Sequence, residues 1–119
     1  TDAGENLTHH ESVDDIFAEF NHNDLDSWMY RPVTTKQFNK DLKRAAKRGK
    51  DLSKLQAIME TLATGEALPQ KYRDHPLIGN FSERRECHIE PDWLVIYKLD
   101  TDNAEIIFER TGTHSDLFS

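Results

Sequence analysis

The chain of 119 residues has a single cysteine, Cys87. An internal disulfide is therefore excluded, and the composition suits a reducing compartment, here expected to be the cytoplasm. No apolar run approaches the ~18 residues of a membrane-spanning helix, and the mean hydropathy is −0.77. No segment has the charged-then-apolar pattern of a secretory leader. Basic residues are missing from one whole stretch: positions 1 to 28 contain no Lys or Arg, yet eight of the 22 acidic residues. Positions 29 to 119 carry the other 14 acids against all 15 bases. An asymmetry this sharp implies two segments with different jobs. Met29 sits just past the change and marks the expected start of the second.

The front segment is polar and acidic up to Glu11, an extended composition. "ESVDDIFAEF" follows, with Val13, Ile16, Phe17 and Phe20 at i, i+3, i+4 and i+7 on one helix face. Ser12 can cap this helix, and Asp14 and Asp15 suit its positive end. A helix this short is unstable alone in water, so its apolar face needs a surface. Two readings fit: an N-terminal helix of the common core, or a separable peptide docked on the basic remainder.

In the remainder, "MYRPV" reads as a short strand, placed near an edge or bulge by Pro32. "TTKQFNKDLKRAAKR" reads as a helix with capping-box spacing between Thr34 and Gln37, a stripe of Phe38, Leu42 and Ala45, and Gly49 at its end. "DLSKLQAIMETLAT" is a second helix, with Leu52, Leu55, Met59 and Leu62 inward and Gly65 as its stop. Residues 66 to 82 hold Pro69, Pro76 and Gly79 and read as a long loop. Three strands close the chain, near 83–90, 93–100 and 104–111, with "DTDN" as a hairpin turn and "HSDLF" as a short terminal turn or helix. The expected class is α+β: β-α-α-β-β-β plus a short C-terminal element, two helices packed on one face of a small antiparallel sheet. The other face is left partly open for functional side chains.

Histidines of the second segment stand at strand ends or in loops: His75 in "DHP", His88 in "CHIEPDW", His114 in "RTGTH". Asp92 lies near the second and Arg110 near the third. Histidine gives and takes protons near neutral pH. No two of these three show the tight HxH or HxxxH spacing of metal ligands, so no metal site is expected. Cys87, flanked by Glu86 and His88, invites a catalytic-thiol reading, but a small strand residue is the simpler one. From Lys36 to Lys50 there are seven Lys or Arg and one acid, Asp41. That imbalance fits a phosphate-contacting surface, with Lys36, Lys40, Lys43, Arg44 and Lys47 as its cations.

Three stretches, "YRDHPLIG", "CHIEPDWLVIYKL" and "FERTGTHSDLF", carry a family resemblance in their order and spacing. Residues 29–119 resemble bacterial toxins of the RelE superfamily, specifically the YafQ branch. The resemblance implies an α+β endoribonuclease, an mRNA interferase that enters the ribosomal A site and cuts the mRNA under translation. It implies no metal and no other cofactor, and a partner antitoxin of the DinJ/RelB type through which alone DNA is met. Carried over residue by residue, the functional positions are His75, His88, Asp92, Trp93, Arg110, His114 and Phe118. Cleavage without metal needs the 2′-OH to attack its adjacent phosphate, a base, an acid and a cation on the phosphoryl oxygens. His114 and His88 are the expected acid and base in unassigned order, with His75 and Asp92 assisting and Arg110 on the phosphate. Trp93 or Phe118 can stack on a splayed base, while for Trp93 a core position is the alternative. Residues 1–28 depart from this pattern. "HESVDDIFAEF" resembles the C-terminal end of DinJ/RelB-type antitoxins, so Val13, Ile16, Phe17 and Phe20 are expected to contact the toxin segment. The competing class is a non-catalytic interaction module within a toxin–antitoxin repressor complex.

Overall fold

A computed structural model describes residues 28–79 and 83–118. Val13, Ile16, Phe17 and Phe20 lie outside the described residues. The elements are β1 (Arg31–Thr34), α1 (Lys36–Lys47), α2 (Leu52–Ala63), a 3-10 turn (Gln70–Tyr72), β2 (His75–Pro76), β3 (Arg85–Glu90), β4 (Trp93–Asp100), β5 (Glu105–Gly112) and α3 (His114–Phe118).

Both long helices are set by their caps and apolar stripes. Thr35, rather than the expected Thr34, caps α1: its hydroxyl oxygen accepts from the Phe38 N–H at 3.0 Å and donates to the Glu109 carbonyl at 2.9 Å. Thr34 is instead the last residue of β1. Asp51 caps α2 through the Ser53 N–H. Phe38, Leu42 and Ala45 of α1 pack with Leu55, Ile58, Met59, Leu62 and Ala63 of α2 on one sheet face, against Cys87, Ile89, Trp93, Val95, Tyr97, Ile106 and Phe108. Leu52 is only partly buried. Gly65, at φ +85°, ends α2 in the left-handed region that favours glycine, with the Met29 side chain against it. Trp28 and Tyr30 pack on the rim of this core.

The α+β class and the helices on one face are as expected, but the sheet is mixed rather than antiparallel. Its order is β1-β5-β4-β3-β2, and β1 runs parallel to β5. The helical crossover between them permits the parallel pair, and Pro32 sits on the edge strand, where its missing N–H costs least. The loop expected over 66–82 contains the 3-10 turn and the two-residue β2, which pairs His75 with Glu86. Tyr97 donates to Asp74 Oδ1 at 2.6 Å and Arg85 donates to the same oxygen at 3.1 Å, tying this segment to the sheet.

Two bulges decide what faces the open side. Ile96 pairs with Arg110, whereas Tyr97 pairs with Phe108, so Glu109 is the extra residue. Strict alternation from Ile106 and Phe108 would point Arg110 at the helices. The bulge turns it to the opposite face, beside Ile96, and brings Thr111 inward instead. A second irregularity between His88 and Glu90 shapes the tight turn into β4. On the open face, Leu94 and Ile96 are covered by Leu117 of α3 and by Leu77.

Candidate active site

The open face gathers what the sequence scatters over 44 residues. His75 arrives on β2, His88 on β3, Arg110 on β5, and His114 and Phe118 on α3. Their rings form a chain: His75 to His88 is 6.3 Å between centroids, His88 to His114 is 6.0 Å, and His114 to Phe118 is 5.7 Å. The middle ring is the most buried: the His88 side chain is 12 % exposed, against 45 % for His75 and 58 % for His114.

Each imidazole is oriented from behind. The His75 Nδ1 donates to the Arg73 carbonyl, which leaves Nε2 to face the Glu86 carboxylate at 3.0 Å. The His88 Nδ1 donates to the Pro91 carbonyl at 3.3 Å, so its Nε2 is the nitrogen free to exchange a proton. Asp92, in the β3–β4 turn, accepts the His114 backbone N–H at 3.1 Å and lies 3.5 Å from its Nδ1. This contact sets the start of α3 and holds the ring of His114. Helix α3 is fixed at its other side by Asp116, whose carboxylate accepts the Thr113 N–H at 2.9 Å and the Arg48 guanidinium at 2.7 and 3.3 Å. The Arg48 guanidinium and the Thr113 hydrogen bonds hold the Asp116 carboxyl well below the usual carboxylate range.

Arg110 is anchored across the sheet edge. The buried Asp41 of α1 accepts from its Nε at 2.7 Å and its Nη2 at 3.4 Å, and also from the Thr111 N–H at 3.1 Å. That uses one edge of the guanidinium. The outer fork, formed by Nη1 and the second Nη2 hydrogen, keeps the bidentate geometry that suits a phosphate. An open groove of about 750 Å³ continues from His88 along α2, past Lys54, Lys71, Tyr72 and Arg73.

Several expected residues are placed differently. Trp93 is 1 % exposed, packed in the helix-side core with its indole N–H on the Thr111 hydroxyl at 3.0 Å. It cannot stack on a base; the strand alternation turns it away from the open face. Phe118, 43 % exposed, stands beside His114 on this face. Arg44 pairs with Asp116 at 3.2 Å and lies 3.8 Å from Asp41, so it serves the α1–α3 contact before any RNA. Lys36, Lys40, Lys43 and Lys47 form an exposed stripe on α1 opposite its buried residues. Cys87 is fully buried, and burial pushes its thiol well above the ordinary value, which makes it a strand residue and not a nucleophile. Among the described residues no group of three or more His, Cys, Asp or Glu is arranged to hold a metal ion.

The sequence profile of a family described as "Bacterial toxin of type II toxin-antitoxin system, YafQ" matches residues 30–119. The chain belongs to this YafQ toxin family. It is 51 % identical over 83 residues to the mRNA interferase toxin YafQ of Escherichia coli K12, covering 69 % of this chain and 88 % of that protein. The crystal structure of the E. coli DinJ–YafQ toxin–antitoxin complex matches with a TM-score of 0.70 and 43 % identity, covering 76 % of this chain and 99 % of that one. A metal-bound toxin from Helicobacter pylori matches with a TM-score of 0.72 and 42 % identity, covering 76 % of this chain and 100 % of that one. The YafQ-type sheet thus carries the histidine face described above.

Two residues of the site were not singled out by sequence reasoning. Asp41 looked like a lone acid on a basic helix, although its spacing of three from Phe38 places it on the buried stripe. Glu86 alternates with His88 on one strand face, a period-two signal, but its pairing with His75 needed β2 to be seen.

Proposed function

We propose that this YafQ-family chain is an endoribonuclease that cuts mRNA on translating ribosomes, in the cytoplasm, by metal-independent transesterification. The observation that carries the reading is the meeting of three imidazoles and one guanidinium on a single open sheet face. One imidazole takes the proton of the 2′-OH as that oxygen attacks the adjacent phosphorus. Another gives a proton to the departing 5′ oxygen, and a 2′,3′-cyclic phosphate remains. His88 and His114 suit these two roles, because each has Nδ1 directed at an oxygen behind it and Nε2 on the far side of the ring. The Arg110 fork receives the phosphoryl oxygens, where charge grows in the transition state. Phe118 is the stacking platform for a base, and the lysine stripe of α1 offers contacts to ribosomal RNA phosphates. A cleavage assay on programmed ribosomes, run on the chain as given and on its Phe17→Asp/Phe20→Asp variant, tests the reading; an intact message with both over a time course that a control ribonuclease completes would overturn it.

Base, acid and cation are all supplied by side chains, so cleavage is expected to be insensitive to metal removal. Ribosomes need Mg²⁺ themselves. Complexes are therefore pre-formed, EDTA is added with the toxin in a quenched-flow mixer, and the first turnover is followed. An unchanged first-turnover rate is expected. Stoichiometric metal bound at the histidines of the purified chain, as the H. pylori relative invites one to check, would sink the metal-free route.

The regulatory partner is an antitoxin of the DinJ type, and residues 1–28 act as a tethered piece of one. Support comes from charge: a segment with eight acids and no base is joined to one that holds all 15 bases of the chain against 14 acids, with seven of those bases clustered between Lys36 and Lys50. Burying Val13, Ile16, Phe17 and Phe20 on the toxin would contribute about 1.5–3 kcal/mol each before ordering costs. Deleting residues 1–28, or combining Phe17→Asp with Phe20→Asp, is expected to speed mRNA cutting and raise toxicity in cells. A deletion that unfolds the rest would make the segment part of the core. One that changes neither folding nor activity would make it a passive leader.

A further inference from the structure

We infer that Glu86 is a positioning residue that binds His75 and His88 into one proton-handling unit. The inference rests on the ribonuclease reading for its consequence, but its geometry stands alone. Glu86 is 4 % exposed, at the centre of the open face, and its Cα pairs with His75 on one side and Ile96 on the other. Its Oε1 lies 3.0 Å from the His75 Nε2 and 4.0 Å from the His88 Nε2. Its Oε2 is buried with no hydrogen-bond partner. A buried carboxylate with one unused oxygen is costly to keep and is unusual in a settled core.

The neighbouring charges do not account for it. On the same face Arg84 pairs with Glu109, Arg110 with Asp41, and Lys98 with Glu83 at 3.8 Å, while His114 lies beyond His88 beside Asp92. Among the described residues, the groups left to Glu86 are the two imidazoles. The His75 Nδ1 already donates to a carbonyl, so a hydrogen bond between Nε2 and Oε1 needs one further proton, donated by the ring when it carries both protons or by Glu86 when the proton rests there. Either way one proton is held between His75 and Glu86. His88 has the opposite arrangement: its Nε2 is 4.0 Å away, too long for a hydrogen bond, and holds a lone pair while Nδ1 donates to Pro91. When that nitrogen gains a proton during the reaction, the spare acceptor capacity of Glu86 is the nearest place for the new N–H and its charge. The carboxylate thus holds the His75 Nε2, stands within reach of the His88 Nε2, and answers whichever ring becomes positive, without touching RNA.

Glu86→Gln keeps the shape and one acceptor but removes the charge. On programmed ribosomes it is expected to lower kcat by about 10- to 100-fold, the low end of a proton-transfer contribution, with KM unchanged. Glu86→Asp, which restores the charge on a shorter arm, is expected to recover part of that loss. In ¹⁵N-labelled protein, the Nε2 signals of His75 and His88 should both move in Glu86→Gln while those of His114 stay, a change that mere loosening of the fold would not select. A wild-type kcat in Glu86→Gln overturns the inference, as does a slowed kcat with both Nε2 signals unmoved. If neither the unaltered chain nor its Phe17→Asp/Phe20→Asp variant cuts mRNA, the ribonuclease reading falls. The imidazole signals then still decide whether Glu86 couples the two rings.

Discussion

Replacing His114 or His88 by alanine is expected to slow mRNA cleavage on ribosomes by about 10²–10⁴-fold, the range of a lost proton-transfer group, and to leave the protein folded. The fold should survive because neither ring belongs to the core. His114 is mostly exposed, and α3 keeps its anchors in Asp116 and Leu117. His88 lies on the open face, between two other imidazoles, so its loss opens a hollow towards solvent and not a cavity among apolar side chains. If the two rings act in one concerted displacement, the double alanine variant should cost little more than the worse single one, since residues that work as a unit are strongly non-additive. Single-turnover cleavage with thermal melting on each variant checks both points. Wild-type rates with normal melting would remove these residues from the mechanism.

What the sequence made legible followed local periodicity. The stripe Phe38, Leu42, Ala45 marked α1, and the apolar run from Trp93 to Tyr97 marked β4, because a helix face and a buried strand repeat at short range. The histidines were legible as a set through their motifs, and the structure brings them to one face. Illegible features depend on distant partners or on one inserted residue. The direction of β1 follows from its pairing with β5, more than seventy residues later. Strand β2 has two residues, too few for any period, and sits in a stretch punctuated by Pro and Gly. The bulge at Glu109 inverts the alternation that would have buried Arg110. Trp93 had two readings, a stacking residue by the family resemblance and a core residue by its apolar strand, and strand alternation sends it into the core. The cation count of α1 carried no information on Arg44 and Arg48, whose partner Asp116 lies at the far end of the chain.

Asp41→Ala is expected to destabilise the protein strongly and to impair cleavage as well. The Asp41 side chain is fully buried and accepts four groups: the Arg110 Nε and Nη2, the Thr111 N–H, and the Gln37 side-chain amide at 3.0 Å. Removing it strands a backbone N–H at the unpaired edge of β5 and a cation beside the core. Breaking a buried ion pair from one side costs about 3–5 kcal/mol, and because part of the Arg110 guanidinium reaches solvent the lower end, about 3 kcal/mol, is the expected loss. For a domain of this size each 1 kcal/mol lowers Tm by about 4–8 °C, so the effect is plain in a melting curve. Asp41→Asn keeps the volume and one acceptor but turns an amide donor towards either Arg110 or Thr111, so it should fall between alanine and wild type. Activity adds a second test. Asp41 holds the inner edge of the guanidinium and thereby aims its outer fork at the open face. At a temperature where Asp41→Asn is fully folded, cleavage should still be slowed, and Arg110→Ala in that background should add little, because the two residues share one function. A melting temperature near wild type in Asp41→Ala would show that the buried pair contributes little to the fold. Full activity in folded Asp41→Asn would show that Arg110 finds the phosphate without this anchor.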